Sequence, residues 1–588
     1  MHSYSKIYGI LFVFLVLNFS AYAADTTSVY AIQLNHYYQF GANNIFSQDF
    51  GKFHVYNKIA NASSIYHEGS KLKTQSDFYL DALYKLKPNF DLGLSGQIFV
   101  FRDGQTSHAY DYDQSRLGLK SNIWNNKDYK LTLQSGYAGE TRLGIKDMGT
   151  YVGLSLNRPQ AALLVYPDLD WDYSQMGNRK NYTFDNRISF NLKKDSPVKN
   201  TFSAGLKAYN REYYVSRDAD TEERLNITTY LNNHLYYPLA RNFALDYKVN
   251  FNSSNDGLSF SYYDQKETRT RQFLGLQNDL RLKAKLGQFR GTFAWINDYK
   301  QSRSIATNNN ISLPSDYLFN KNKILAQMVW KLSDNDSLRF NYLGSLLYYD
   351  TPDTNNYDDR DELSYSFSPT WIHRINEHTT MSLSSNMFLH HYVYLFHQRS
   401  AQNHWNRVFS IRSEIKTLIP AKLSWTSKQE LYANYFVYDH EDSAFIHVRS
   451  MVFRGLKLQQ NIKYYFSANY FVRAYMFLRV EDNGLLDWDE FIQEITDSKY
   501  TIKVEILPGY HKKRNHIMFG PVFSYRRDFR YSDISSREEF YHSLRLGGLI
   551  SLQLSNYFTF NYRLEQINQS TMDRVYNQSG SLRFNYIF

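Results

Sequence analysis

The sequence predicts an all-β protein: a large single-chain transmembrane antiparallel β-barrel of about 26 strands, with 24 as the neighbouring even count. Three observations predict it. Aromatic residues are abundant, with 52 Tyr and 41 Phe among 588 residues, yet the mean hydropathy is −0.55. Past the first two dozen residues, no segment approaches the ~20 consecutive apolar residues that a spanning helix needs. Apolar residues instead recur at every second position, which puts them on one face of successive strands. Such a chain, aromatic-rich but polar on average, results when one face of each strand meets lipid and the other meets water.

Taken in order, the chain starts with Lys6 before the apolar run Ile7 to Leu17, followed by the small-x-small pattern Ala21-Tyr22-Ala23. Residues 1–23 therefore read as a secretory signal peptide. Residues 24–50 read as a short N-terminal segment, either an extension or a first strand. From 51 to 588 no Pro/Gly/Ser linker, charge block or shift of composition interrupts the pattern, so this stretch reads as one barrel. The chain has no cysteine, which excludes a disulfide framework, a thiolate metal site and a lipoprotein anchor. Its net charge of +10 is spread over strands rather than gathered in a patch, which argues against a nucleic-acid surface.

Within the barrel region Phe78, Leu80, Ala82 and Tyr84 form an apolar stripe, Lys87-Pro88-Asn89 turns the chain, and Leu92, Leu94, Ile98 and Val100 return. Proline followed by asparagine is strong turn chemistry. Tight turns recur at Lys194 to Pro197, Leu286 to Gln288, Ser333 to Asp336, Asn376 to His378, Ile419 to Ala421, Lys512 to Asn515 and Ser555-Asn556. Between them longer polar stretches, among them Ser253 to Thr270, Asn297 to Asn320 and Tyr349 to Glu362, read as loops at the opposite end. The last short turn leaves one strand out and one strand back, so the C-terminus returns to the short-turn end.

The final strand, Ser581-Leu-Arg-Phe-Asn-Tyr-Ile-Phe588, places Leu582, Phe584, Tyr586 and Phe588 on one face, with Ser581, Arg583 and Asn585 on the other. Here the sequence resembles bacterial outer-membrane β-barrel proteins, whose last strand ends on an aromatic read by the assembly machinery; Arg583 stands where that signal usually has glycine. The resemblance implies an outer-membrane location in a Gram-negative-type envelope, with short turns in the periplasm and long loops outside. It also implies contact with outer-membrane lipid and lipopolysaccharide, and recognition by the barrel assembly machinery through the strand ending in Phe588. Residues 24–50 are too short for the plug domain of a TonB-dependent receptor. In strand number alone the chain is similar to the lipopolysaccharide translocon and to polysaccharide exporters, which pair large barrels with a partner. The cysteines and N-terminal periplasmic domain of that translocon are absent.

The face opposite the apolar stripes supplies the candidate pore lining: Arg187, Arg281, Lys283, Arg290, Arg339, Arg412, Arg545, Arg563 and Arg583. Cations on a wet wall raise the local anion concentration, so the expected function is an outer-membrane channel or translocation conduit, porin-like, leaning toward anions or exporting a polymer or lipid with a partner. The competing account of the same residues is that they pair with acids on adjacent strands. A wide lumen calls for closure, either by inward-folded loops such as 253–270 and 297–320 or by a lumen-plugging or periplasmic partner. The alternative function is a non-conducting surface barrel acting as an adhesin or receptor through its loops. No enzyme, cofactor or metal is expected. There is no Gly-x-Ser-x-Gly, His-Glu-x-x-His or P-loop pattern. The acidic stretch Asp350 to Glu362 and the EF-hand-like Arg479 to Glu490 offer oxygen ligands, but Arg479 stands where the first aspartate belongs. Of the clustered His390, His391, His397 and His404, the first two point to opposite faces of a strand; only His391, His397 and His404 could converge, and only if the loop folds back, so the cluster reads as chance rather than as a site.

Overall fold

The computed structural model describes residues 26–587 apart from 35–36, 67–70, 104–110, 124–128, 158–164, 193–195, 216–219, 263–264, 307–315, 354, 441–449, 488–489, 513–514, 534–535, 555–557 and 570–571. Within them the chain forms 28 strands of a single antiparallel sheet, from β1 (Thr26–Leu34) to β28 (Met572–Ile587). Each strand pairs with the next, and β1 pairs with β28 from Thr26↔Ile587 to Leu34↔Ser579. Pairing therefore closes the ring and leaves no sheet edge. With strands ~4.8 Å apart and tilted ~40°, such a ring would measure about 55 Å across if circular.

The expected count of about 26 falls two short because residues 24–50 hold both β1 and β2 (Tyr37–Phe50). The outward positions of β2 run Phe40, Ala42, Asn44, Phe46, Gln48, and the two amides break the apolar stripe that marks a strand in the sequence. The signal peptide expected over 1–23 and the terminal Phe588 lie outside the described residues.

The level of the membrane can be read from β13 (Phe243–Tyr262) and β14 (Gln265–Leu286). On β13 the outward residues are Phe243, Leu245, Tyr247, Val249 and Phe251, then Ser253, Asn255 and Gly257. On β14 Leu286, Ala284, Leu282, Leu280, Leu276 and Leu274, interrupted by Asn278, whose side-chain oxygen accepts from the Tyr247 hydroxyl at 3.2 Å, give way to Gln272 and Thr270, close to the change on β13, since Phe251 faces Leu276 and Ser253 faces Leu274. A strand needs only 9–11 residues to cross a bilayer, whereas β12 (Thr221–Ala240), β13 and β14 have 20, 20 and 22. Their outer halves rise roughly 25 Å beyond the lipid. This corrects the expectation of a loop at 253–270: Ser253 pairs with Leu274 and Gly257 with Thr270 in an unbroken ladder. Alternation of apolar and polar residues disappears where both faces are wet, so a projecting hairpin reads as a loop. For the same reason the stretch 297–320 is not all loop: β15 (Phe289–Ala306) and β16 (Tyr317–Lys331) both extend into it.

The turns at Pro88-Asn89, Gly287-Gln288, residues 332–335, residues 375–378 and residues 420–422 lie at the end that also holds Thr26 and Ile587. The opposite end mixes connections of nine or more residues with two-residue hairpins such as Leu143-Gly144, where φ is 54° and 88°. Positive φ at both central residues is the tight hairpin geometry that glycine accommodates without strain. A closed strand ring whose outer wall is apolar at one level satisfies every backbone group inside a bilayer. The chain forms a closed β-barrel built to span a bilayer.

Candidate lumen and its charged wall

Side chains on the concave face of a ring converge and those on the convex face diverge, so contacts that skip strands identify the lumen side. Arg116 of β6 (Tyr112–Ile123) donates to both carboxylate oxygens of Asp172 of β9 (Val165–Met176), at 2.7 and 3.0 Å. Arg179 of β10 (Arg179–Asn191) reaches Glu140 of β7 (Lys130–Arg142) at 2.7 Å and Asp147 of β8 (Ile145–Asn157) at 2.8 Å. Lys120 of β6 donates to Asp81 of β4 (Lys71–Lys87) at 2.5 Å and to the Tyr79 hydroxyl at 2.9 Å. The outward-facing apolar residues of the same strands, such as Leu117, Tyr137 and Met148, are exposed. Polar in, apolar out is thus set by the pleat.

These strand-skipping pairs mark a sharp bend in the wall. At its centre Gly118 and Gly136 are ladder partners. A Cβ on Gly118 would fall 2.2 Å from the Ser135 carbonyl oxygen, so only glycine permits the close approach. The bend is packed from inside by Ala138, Tyr151 and Met176, and the Arg179 side chain is only 3% exposed. A second bend runs from β23 (Tyr470–Asp487) to β27 (Phe558–Gln569). There Phe471, Leu507 and Val522 are buried on the lumen side, and Arg563 of β27 donates across to Glu505 of β24 (Ile492–Lys512) at 3.2 Å.

Between the bends, residues 265–465 form an open arc of different character. Among the described side chains of its lumen face the carboxylates are Asp279, Asp298, Glu362, Glu414 and Glu430. Against them stand Arg269, Arg271, Arg281, Lys283, Lys285, Arg290, Lys300, Lys321, Lys323, Arg339, Arg360, Arg374, Arg412, Lys416, Lys428, Lys457 and Lys463. Ion pairs here stay within a strand or link neighbours, as in Arg281 with Asp279 at 2.7 Å and Lys300 with Asp298 at 2.9 Å.

The residues singled out in the sequence all fall at lumen-facing register positions. Five are paired: Arg187 with Asp168 (Nε at 3.0 Å), Arg281 with Asp279, Lys283 with Asp246 at 2.6 Å, Arg412 with Glu430 at 3.2 Å, and Arg563 with Glu505. Among the described residues Arg290, Arg339 and Arg545 have no carboxylate partner. Arg583 takes its place opposite Thr559 and Tyr30, but its side chain lies outside those described. Pairing with acids thus accounts for five of the nine among the described residues.

Sequence reasoning missed Arg374 and Lys331, which sit beside Arg290 and Arg339 at the short-turn rim around a pocket of about 440 Å³. Both flank turns, where attention goes to Asp, Asn and Ser. It also missed a row of close-packed rings at the outer mouth: His390, Tyr392, His404 and Phe436, with centroids 4.1, 4.8 and 4.1 Å apart, the last two pairs stacked. His391, His397 and His404 are not brought together on one face. Tyr392 faces His404, so His404 shares the lumen side with His390, while His391 stacks on the outward Trp405 and meets Asp439 at 2.8 Å.

The acidic stretches do not assemble a cation site among the described residues. Asp359 accepts from the Thr351 amide and hydroxyl at 2.7 and 2.6 Å, and Asp358 is held by Arg399 of the single-turn helix α1 (His397–Ser400). The stretch from Arg479 to Asp487 is strand, bulged at Asn483/Gly484.

No family model matches the sequence and no curated protein matches it. Among solved structures, the FrpB iron transporter from Neisseria meningitidis is 10% identical, covering 97% of this chain and 82% of its own, with a TM-score of 0.38. The ferripyoverdine receptor of the Pseudomonas aeruginosa outer membrane is 8% identical over 95% of this chain and 72% of its own, with a TM-score of 0.38. The ferric citrate transporter FecA is 9% identical over 95% and 78%, with a TM-score of 0.37. At these values the likeness carries no argument, and function rests on this chain's own wall.

Proposed function

We propose that the barrel is a conduit across the outer membrane whose basic arc favours anionic solutes or an anionic polymer. The observation that carries this reading is the excess of cations on the lumen face of residues 265–465, with Arg290 and Arg339 there and Arg545 beyond it free of carboxylate partners among the described residues. Cations left unneutralised on a wall in contact with water focus a positive potential into the lumen. Among the described residues the only element outside the strand ring is α1, a single turn at the outer end. An open lumen inside a ring of 28 strands would breach the barrier function of the membrane, so the reading includes a partner that fills or gates it from the periplasm. Assembly would proceed through β28, the strand that the barrel machinery of such proteins reads.

The test is conductance of the refolded chain in a planar bilayer with a salt gradient across it. Large, steady steps with a reversal potential on the anion side are expected. Stable insertion with no conductance overturns the conduit. The reading of a surface receptor, which draws on the projecting hairpin β13–β14, would then stand in its place.

A further inference from the structure

We infer that the short-turn rim of the lumen holds a binding site for a compact oxyanion, a phosphate or pyrophosphate group carried by a small solute, built from Arg290, Arg339 and Arg374. Three features support it. Arg290 of β15 faces Val329 of β16, and Val329 faces Arg339 of β17 (Asp336–Asp350). Two guanidinium-bearing residues thus flank one apolar residue in a single row, about 10 Å apart at Cα, a separation that two long side chains close over the valine. Arg374 of β18 (Arg360–Arg374) completes the lining of the same pocket of about 440 Å³.

Second, the acids around the pocket are already engaged. Asp334 is bound by Lys331 at 2.6 Å. Its carboxyl is held below the usual range by that ammonium first, with Arg374 acting from farther away. Asp336 accepts from Ser333 at 3.0 Å and from the Trp371 indole at 3.1 Å, and meets the His373 ring at 2.9 Å. Among the described residues no carboxylate is left in ion-pair contact with the three arginines.

Third, Arg290 lies directly opposite Lys285 across the ladder. Like charges in that position destabilise a sheet, so the arrangement has no structural benefit, and a bound anion would relieve it. Guanidinium forks match phosphate oxygens in pairs. This deepens the conduit reading by giving its path one defined stop, but it is measured without conduction.

The experiment is titration of the refolded full chain, in detergent micelles at low salt, with inorganic pyrophosphate by calorimetry. Saturable binding with one site per chain is expected. It should weaken about tenfold in Arg339→Gln and further in the Arg290→Gln/Arg339→Gln double variant, a scale set by charged hydrogen bonds. Arg339→Lys, which keeps the charge and loses the fork, should fall between. Lys422→Gln, at a turn on the same rim outside the pocket, should bind as the parent does. Each variant is first checked for the heat-modifiable migration of a folded barrel. Absence of saturable binding by the folded parent, or an equal loss in Lys422→Gln, would overturn the site. A barrel that binds but does not conduct would sink the conduit and leave the site standing.

Discussion

The bend around β6 to β10 and the arc of residues 265–465 use the same residue types to opposite ends. In the bend, ion pairs skip strands and are shielded: Arg179 is 3% exposed and its partner Glu140 7%. In the arc, pairs stay within a strand or link neighbours and stay wet, as with Arg412 at 54% and Lys416 at 62%. The bend also gathers Asp168, Asp170 and Asp172 on one strand, β9, whereas the arc is basic. Curvature explains the difference. Where the wall turns sharply, concave side chains meet, lose water and must be matched charge for charge. Where it is open they stay solvated, an unmatched cation costs little, and surplus charge can accumulate for use.

The comparison breaks first at Arg179. Arg179→Met would leave the Glu140 and Asp147 carboxylates facing each other without their cation. A loss of about 3–5 kcal/mol is expected from a broken buried pair, read as an earlier urea midpoint in vesicles. In the arc, Arg412→Gln removes an exposed partner of Glu430 and should change stability by less than about 1 kcal/mol while lowering anion preference. Comparable destabilisation by the two variants would erase the distinction between bend and arc.

The smallest expected effect lies at the outer edge of the arc, above the lipid level. His404 sits between Tyr392 and Phe436, and burial holds its pKa below the usual imidazole value. Nearby His390 and His391 push the same way, while the Gln402 carbonyl and Asp439 oppose them. The unfolded chain therefore binds this proton more readily than the folded one, so stability should decline as pH falls below the ordinary histidine pKa of about 6.5. His404→Phe should flatten that part of the stability profile between pH 7 and 5; an unchanged profile would show that the stack does not titrate.

Much of this was legible from spacing alone. The period of two identified the strands, and Pro88-Asn89, Gly287 and the Ser333 to Asp336 turn located one rim correctly. The lumen face of Arg187, Arg281 and Arg412 followed from the same parity. What escaped was whatever alternation does not encode. Asn44 and Gln48 hid a strand, and Ser253 to Thr270 hid a hairpin because both of its faces meet water. Pairing across intervening strands depends on curvature, which brings Arg563 to Glu505 over two strands, while Arg339 has no carboxylate partner among the described residues. No spacing within one strand carries that information. Register across a connection, not sequence proximity, decided that His404 joins His390 rather than His391.

The most direct test of a charge-selective arc is the reversal potential of two variants in planar bilayers. Arg290→Glu/Arg339→Glu/Arg545→Glu reverses lumen cations that have no carboxylate partner among the described residues, whereas Arg116→Gln/Asp172→Asn neutralises a matched pair in the bend. The account predicts a clear shift toward cations for the first and little shift for the second. Equal shifts, or none in the triple variant, would contradict it.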